Sequence, residues 1–213
     1  MTRYPVPLTE TRCELVVVNS RFIATLAPVF TLEQAKAFVA RIKSEFADAS
    51  RNVPAYLVGG AGTVLEHCSD DGEPSGTAGR PALTVLKGSG LGDAAVVVTR
   101  YFGGTKLGTG GLVRAYSDAV RAVVDAAPRA ERIPTVTVMV GLPYRWVERL
   151  RRLVAAHDGR ILEEDFAGEV TLTARFPAER LPAFEDALSQ ASNGTQQALV
   201  ISQEEELIPL SLS

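Results

Sequence analysis

The sequence predicts a two-domain α+β protein, and three observations support this fold class. In the first 130 residues, strand-like and helix-like periodicities follow one another in the order β-β-α-β-loop-α-β-α. From residue 135 onwards the order is β-α-β-β-α-β, which is that of a ferredoxin-like module. Hydrophobic residues make up 46% of the chain, enough for two small cores. We therefore expect domains at 1–130 and 135–213, separated by the proline-bounded segment Pro128–Pro134.

The first domain opens with two predicted strands, Glu14–Val18 and Phe22–Leu26, in which β-branched residues are frequent. The capping-box pattern Thr31-x-x-Gln34 then predicts the start of an amphipathic helix. A third strand is expected over Ala55–Val58. A helix is expected over Pro81–Lys87, because proline suits the first helical turn.

An apolar run at Ala94–Val98 is the next predicted element. It is too short for a helix and rich in valine, which is typical of a strand covered on both faces. Helical spacing begins again at Leu112 and continues to Ala127, with Tyr116 and Val120 on the same face. A buried strand, a glycine-rich turn and a long helix therefore complete the first domain.

The second domain shows a regular alternation of elements. Its predicted elements are a strand at Thr135–Val140, a helix at Pro143–Ala156, a hairpin of Arg160–Phe166 and Glu169–Phe176, a helix that contains Leu181, Phe184 and Leu188, and a last strand at Leu199–Leu210.

The turn between the buried strand and the long helix contains five glycines in nine positions. A helix N-terminus that follows such a turn can present backbone N–H groups and a positive dipole end to an anion. The P-loop pattern fails because Thr109 stands where lysine is needed, and the dinucleotide-binding pattern fails at Val113. Two interpretations stay open: the glycines serve tight turns and close packing, or they contact a ligand.

A second loop, Asp70–Gly79, carries three carboxylates and three glycines. Asp70, Asp71 and Glu73 could hold Mg²⁺, or they could serve as turn residues. Arg100 could likewise contact a ligand or pair with one of these carboxylates. Both loops are polar and poorly suited to burial, so we expect them to lie side by side and to satisfy each other or a ligand.

The segments DDGEPSGTAGRP and VVVTRYFGGTKLGTGGLVRAYSDAV closely resemble the signature of the IMPACT family, and the whole chain resembles its bacterial, YigZ-type members. The resemblance implies a first domain similar to the second domain of ribosomal protein S5. It implies a second domain similar to the small ferredoxin-like domain of elongation factor G. Eukaryotic IMPACT proteins act in translational control by competing for the ribosome-associated activator of an amino-acid-starvation kinase, and they carry an extra domain that this chain lacks.

The predicted function is therefore a non-catalytic, regulatory binding protein linked to translation, whose partner is RNA, the ribosome or a translation-related protein. The alternative is an enzyme that acts on a phosphorylated small molecule or nucleotide. No catalytic residue, metal or cofactor is predicted, because no nucleophile elbow or Cys–His arrangement occurs. The predicted anion-binding residues are Arg100, Tyr101, Gly103, Gly104, Thr105, Lys106, Gly108, Thr109, Gly110, Gly111 and Arg114, with Asp70, Asp71, Glu73, Ser75, Gly76 and Thr77 in the second loop.

Composition limits the partners and the compartment. The net charge of −3 argues against a general polyanion binder, but residues 80–121 hold six basic and two acidic residues, so local charge leaves room for nucleic acid. The chain starts without an apolar signal core, and no run is long enough to span a membrane. We therefore expect a cytoplasmic location.

Overall fold

The computed structural model describes residues 4–59, 64–166 and 170–210. Within these residues the chain divides into two compact units, 4–132 together with 207–210, and 133–206. Both units combine helices with antiparallel sheets, which confirms the α+β prediction. None of the helices in the described part of the chain has the length and apolar content needed to cross a membrane.

The first unit contains a five-stranded sheet with three helices. Its helices are α1 (Leu32–Glu45), α2 (Gly79–Gly88) and α3 (Gly108–Ala126). Its strands are β1 (Pro5–Pro7), β2 (Thr11–Val17), β3 (Ser20–Pro28), β4 (Arg51–Val58), β5 (Leu65–Cys68) and β6 (Ala94–Tyr101). Five of the strands pair in the order β2-β3-β6-β4-β5, and every neighbouring pair is antiparallel.

Strand β6 lies at the centre of this sheet and is covered on both faces. Because successive side chains point to opposite faces of a strand, Val96 and Val98 pack towards α2 and α3, whereas Val97 packs towards α1. This confirms the prediction of a strand buried on both sides. The strand continues beyond the predicted end at Val98 as far as Tyr101, so it carries Arg100 into the helix-covered layer.

The capping box predicted for α1 is present. Thr31 is the N-cap residue, and its hydroxyl accepts a hydrogen bond from the Gln34 backbone N–H at 3.1 Å. The Gln34 side chain in turn accepts from the backbone N–H of Phe30 at 2.7 Å. The first bond satisfies an N–H group that the start of the helix would otherwise leave without a partner, and the second ties the residue before the N-cap to the first turn.

Two short strands are not predicted from the sequence. β1 has only three residues, two of them proline, and β5 lies just before the carboxylate-bearing loop. β5 pairs with β4 from Ala55↔Cys68 to Val58↔Leu65, although three of its four residues are exposed. An exposed edge strand lacks the apolar alternation by which a strand is recognised in a sequence.

The second unit has the predicted order of elements. Its strands are β7 (Arg129–Leu142), β8 (Arg160–Phe166), β9 (Val170–Pro177) and β10 (Leu199–Pro209), and its helices are α4 (Val147–Ala156) and α5 (Leu181–Ser192). β9 alternates between buried and half-buried residues, and Leu172 and Phe176 pack with Leu150 of α4 and Phe184 of α5. The predicted turn at Ala167-Gly168 lies outside the described residues.

The segment Pro128–Pro134, expected as the domain boundary, is not a loop. This segment belongs almost entirely to β7, which pairs with β1 at residues 129–131 and with β9 at residues 135–142. Pro134 falls between these two runs of pairing, where its missing N–H is tolerated. The two prolines indicated a linker, whereas the chain passes from one unit to the other along a strand.

Candidate functional site

A cleft of about 380 Å³ lies between the two polar loops of the first unit. The loop after β5 contributes Glu73 and Pro74, and the segment between β6 and α3 contributes Phe102 and Lys106. The remaining lining residues are Arg100, Leu107, Gly108, Thr109 and Leu112. The two loops therefore lie side by side, as the sequence predicted.

The floor of the cleft is a buried ion pair that Tyr116 extends. Arg100 Nη1 donates to Glu73 Oε1 at 2.6 Å, and the Tyr116 hydroxyl donates to the same oxygen at 2.9 Å. The side chains of Arg100 and Glu73 are only 8% and 7% exposed, so water screens their attraction weakly. One of the two alternatives drawn from the sequence, that Arg100 pairs with a carboxylate of the neighbouring loop, is therefore realised with Glu73.

The guanidinium of Arg100 keeps unused donor capacity. Its Nε is buried and has no hydrogen-bond partner among the described residues. The rings of Phe22 and Phe102 each lie 5.5 Å from the guanidinium carbon and enclose the group. An arginine presents five N–H donors in a planar fork that fits carboxylate or phosphate oxygens. Arg100 can therefore bind a further acceptor in the cleft.

Tyr116 remains a hydroxyl donor over the whole physiological pH range. Burial, and next the neighbouring Glu73 carboxylate, raise the pKa of Tyr116 far above its ordinary value, and Arg100 and Arg51 oppose this only weakly. Its ring packs edge-on against Phe22, with centroids 5.3 Å apart. The hydroxyl is thus fixed beneath Glu73 and holds the carboxylate in place.

The rim of the cleft combines an exposed aromatic ring with positive charge. Phe102 is 48% exposed, so it does not belong to the core. Lys106 and Thr109 lie at the start of α3, whose N-cap residue, Leu107, provides no side-chain cap. The first N–H groups of α3 therefore lack a side-chain acceptor from the N-cap, and the helix dipole adds positive potential at this end.

The glycines of the turn have two different explanations. A Cβ on Gly103 would lie 2.0 Å from the backbone oxygen of Asn19, so this glycine allows the loop to pass against the β2–β3 turn. Gly110, in contrast, has no atom within 4 Å of a Cβ position and no positive φ. Neither packing nor backbone conformation requires glycine there. Open space at the first turn of α3 leaves its backbone accessible to a ligand.

Asp70 organises the first loop and the start of α2. Its carboxylate accepts backbone N–H groups from Gly76 at 2.8 Å, Ala78 at 3.0 Å and Gly79 at 2.8 Å. Burial alone would raise the pKa of Asp70, but these three bonds and the nearby Arg80 outweigh burial and lower it. Asp70 is thus a structural anchor that caps the N-terminus of α2.

The other polar residues of this loop also have partners within the protein. Asp71 accepts from the Lys43 ammonium and, at 2.7 Å, from the backbone N–H of Asn52. Thr77 is buried and donates to the Pro74 carbonyl at 2.6 Å, whereas Ser75 is exposed. Within the described residues, no group of three or more His, Cys, Asp or Glu side chains is placed to hold a metal ion.

The lining of the cleft includes five of the seventeen predicted ligand residues: Glu73, Arg100, Lys106, Gly108 and Thr109. Tyr101 lies on the opposite face of β6 from Arg100, and its hydroxyl donates to Asp48 at 2.8 Å. Thr105 and Arg114 are exposed but do not line the cleft. Their predicted contacts with a ligand therefore require one that extends beyond the cleft.

Two residues of the site are not among the ligand residues predicted from the sequence. Helical spacing assigns Tyr116 only to the buried face of its helix, and the predicted ligand residues include Tyr101 and Gly103 but not Phe102 between them. A signal for Tyr116 is present, because a tyrosine at a fully buried helical position needs a hydrogen-bond partner for its hydroxyl. The acidic loop nearby supplies that partner.

Both halves of the chain match known protein families. Residues 18–124 match the Impact N-terminal domain, and residues 140–195 match a domain of unknown function, DUF1949. The chain is 37% identical over 186 residues to the IMPACT family member YigZ of Escherichia coli, an alignment that covers 87% of this chain and 91% of that protein.

The chain belongs to the IMPACT family. It is also 35% identical over 181 residues to the IMPACT family member YvyE of Bacillus subtilis, covering 85% of this chain and 83% of that protein. A solved structure described as that of a hypothetical protein superimposes with a TM-score of 0.64 at 34% identity, covering 95% of this chain and 98% of that one. The match to the Impact N-terminal domain includes both loops that form the cleft.

Proposed function

We propose that this IMPACT family protein is a non-catalytic regulatory binding protein linked to translation, and that its cleft binds a segment of single-stranded RNA, free or within the ribosome. The observation that carries the proposal is the exposed ring of Phe102 beside Lys106 and the open N-terminus of α3. Aromatic side chains stack on unpaired bases, while lysines and helix N-termini bind phosphates. A nucleotide offers both a base and a phosphate.

Family membership supports the same proposal. The resemblance to IMPACT proteins implies translational control, and the fold kinship proposed for the two domains is with a ribosomal protein and a translation factor. Such kinship does not establish a function, because one fold hosts many activities. The proposal therefore rests on the side chains of the cleft, and the RNA would lie across the rim, where Arg114 adds a further exposed positive charge.

The test is a salt titration of binding to a fluorescent single-stranded RNA of about 12 nucleotides, a length within the site sizes of single-strand binding folds. Phe102→Ala should weaken binding by about 1–3 kcal/mol, the value of one base–aromatic stack. Lys106→Ala with Arg114→Ala should flatten the slope of log K against log salt by about 1.4, or about 0.7 for each phosphate that the protein no longer neutralises.

The matched control is Lys36→Ala, which removes an exposed lysine of α1 on the other side of the sheet. It should leave both affinity and slope unchanged. Equal binding by all variants would reject the cleft as the RNA site, and an absence of RNA binding by the unaltered protein would reject the proposed partner.

One observation favours the alternative function, an enzyme acting on a phosphorylated small molecule or nucleotide. The cleft volume falls within the range of about 300–1,000 Å³ that small-molecule sites occupy. Mass spectrometry of the purified protein distinguishes the two functions: a co-purifying nucleotide that is chemically altered on incubation would favour the enzyme.

A further inference from the structure

Among the described residues that line the cleft, Glu73 is the only acidic one. The other polar groups there are donors: the Arg100 guanidinium, the Lys106 ammonium and the Thr109 hydroxyl, together with the N–H groups that open α3. The Tyr116 hydroxyl donates from below. A carboxylate therefore occupies a cleft whose other polar groups suit an anion.

The carboxylate does not use all the donors around it. Only Nη1 of Arg100 binds Glu73, through Oε1, while the buried Nε of the same guanidinium has no partner among the described residues. A phosphate has more acceptor oxygens than a carboxylate and can engage two nitrogens of one guanidinium at once. It could therefore engage the terminal nitrogens Nη1 and Nη2 together, whereas Glu73 binds only Nη1.

The Glu73 side chain can leave without unfolding its loop. The loop is folded by the bonds from Gly76, Ala78 and Gly79 to Asp70, and by the bond from the Thr77 hydroxyl to Pro74. None of these bonds involves the carboxylate of Glu73, whose partners are Arg100 and Tyr116. Rotation of this one side chain towards solvent would open the floor of the cleft.

We propose that Glu73 occupies the position of a ligand phosphate in the free protein, and that the phosphate displaces this carboxylate from Arg100 on binding. The inference rests on the proposed function and specifies the chemistry that the cleft recognises. In the exchange, Arg100 Nη1 and the Tyr116 hydroxyl transfer their hydrogen bonds from Glu73 to phosphate oxygens, and Arg100 Nη2 gains an acceptor. A ligand must therefore compete with the internal carboxylate for Arg100, and weakly charged ligands do not displace it.

Glu73→Gln tests the inference, because removing the internal anion should tighten phosphate binding instead of weakening it. We expect inorganic phosphate, titrated at constant ionic strength, to bind this variant about tenfold more tightly than the unaltered protein. A gain of this size does not exceed the contribution of one charge-assisted hydrogen bond. Binding is followed by NMR through the Nε–Hε resonance of Arg100, assigned by its loss in Arg100→Lys. Glu164→Gln removes a carboxylate bound to Arg151 outside the cleft and should produce no gain.

Phosphate should also restore stability to the variant. Glu73→Gln leaves the buried charge of Arg100 without its anion, so phosphate should raise the melting temperature of this variant more than that of Glu164→Gln. If Glu73→Gln does not fold, Glu73→Asp, which keeps the charge but shortens its reach, should show the same tighter binding to a smaller extent. Unchanged or weaker phosphate binding, or an Arg100 Nε–Hε resonance that phosphate never shifts, would overturn the inference.

Two RNAs identify the source of the phosphate and separate this inference from the proposed function. If Glu73→Gln tightens binding of 5′-phosphorylated and 5′-hydroxyl RNA equally, the cleft binds an internal phosphodiester, and a gain confined to the phosphorylated RNA indicates a terminal phosphate. RNA binding without any gain in the variant would leave the proposed function standing and reject the inference. Phosphate binding at Arg100 without RNA binding would support the inference and reject the proposed function.

Discussion

Replacing Asp70 with alanine removes three hydrogen bonds at once from the loop that borders the cleft. The carboxylate serves as acceptor for the backbone N–H groups of Gly76, Ala78 and Gly79. Loss of an N-cap side chain costs about 0.5–2 kcal/mol, and a hydrogen bond to a charged group contributes about 1.5–3 kcal/mol. Because Asp70 is only half-buried, water replaces part of the loss. We expect the free energy of unfolding to fall by about 2–4 kcal/mol.

The same substitution should change how stability depends on pH. The folded state holds the pKa of Asp70 below its unfolded value of about 3.9. The stabilisation is therefore fully present above about pH 4 and is lost as the pH falls through the lower, folded pKa. Asp70→Ala lacks this contribution at every pH, so the difference between the two proteins should shrink in acid.

Urea denaturation followed by circular dichroism, at neutral pH and in acid, measures both effects. Hydrogen exchange adds a local measurement, because the amides of Ala78 and Gly79 should lose protection in the variant. Asp186→Ala serves as the control, since it removes an exposed aspartate from α5 of the other unit. A change of less than about 0.5 kcal/mol, as for ordinary surface substitutions, with unaltered exchange would refute the assignment of Asp70 as an anchor.

Two further predictions concern the glycine turn and the buried tyrosine. Gly103→Ala should destabilise the first unit, because its Cβ would meet the Asn19 backbone. Gly110→Ala, in contrast, adds a methyl group in open space and should stabilise α3 by about 0.5–1 kcal/mol. Thermal unfolding of the two variants measures this contrast, and equal effects would contradict it. Because burial and then Glu73 raise the pKa of Tyr116, the unaltered protein should lose stability above about pH 10, where the tyrosine of the unfolded chain ionises. Tyr116→Phe should lose less stability over the same pH range. If the free energy of unfolding of both proteins depends identically on alkaline pH, the hydroxyl is not held as described.

Most elements could be predicted from periodicity because they bury one regular face. The Thr31-x-x-Gln34 pattern identified the start of α1, and the valine run identified the central strand. The short strand β5 and the first part of β7 could not be predicted in this way. The edge strand β5 shows little apolar alternation, and β7 crosses the unit boundary between Arg132 and Ile133, next to a proline that normally suggests a loop. Helical spacing places the start of α3 at Leu112, four residues after its actual start at Gly108, because glycine is a poor helix former.

The site could be predicted as a pair of loops but not as a set of contacts. Strand alternation around the buried run would have separated Tyr101 from Arg100, since adjacent residues of a strand face opposite ways. The choice among Asp70, Asp71 and Glu73 as the partner of Arg100 had no local signature. All three are acidic and close in sequence.

The sequence by itself determined the fold class, the family and the two loops that carry polar groups, because periodicity and motif are properties of neighbouring residues. Only the tertiary structure decided how the three carboxylates are used. Asp70 binds backbone N–H groups of its own loop, Asp71 binds Lys43 of α1, and Glu73 meets Arg100 and Tyr116 from two other elements. Burial of Arg100 beneath the cleft makes an anion necessary there, and burial depends on packing between elements distant in the chain.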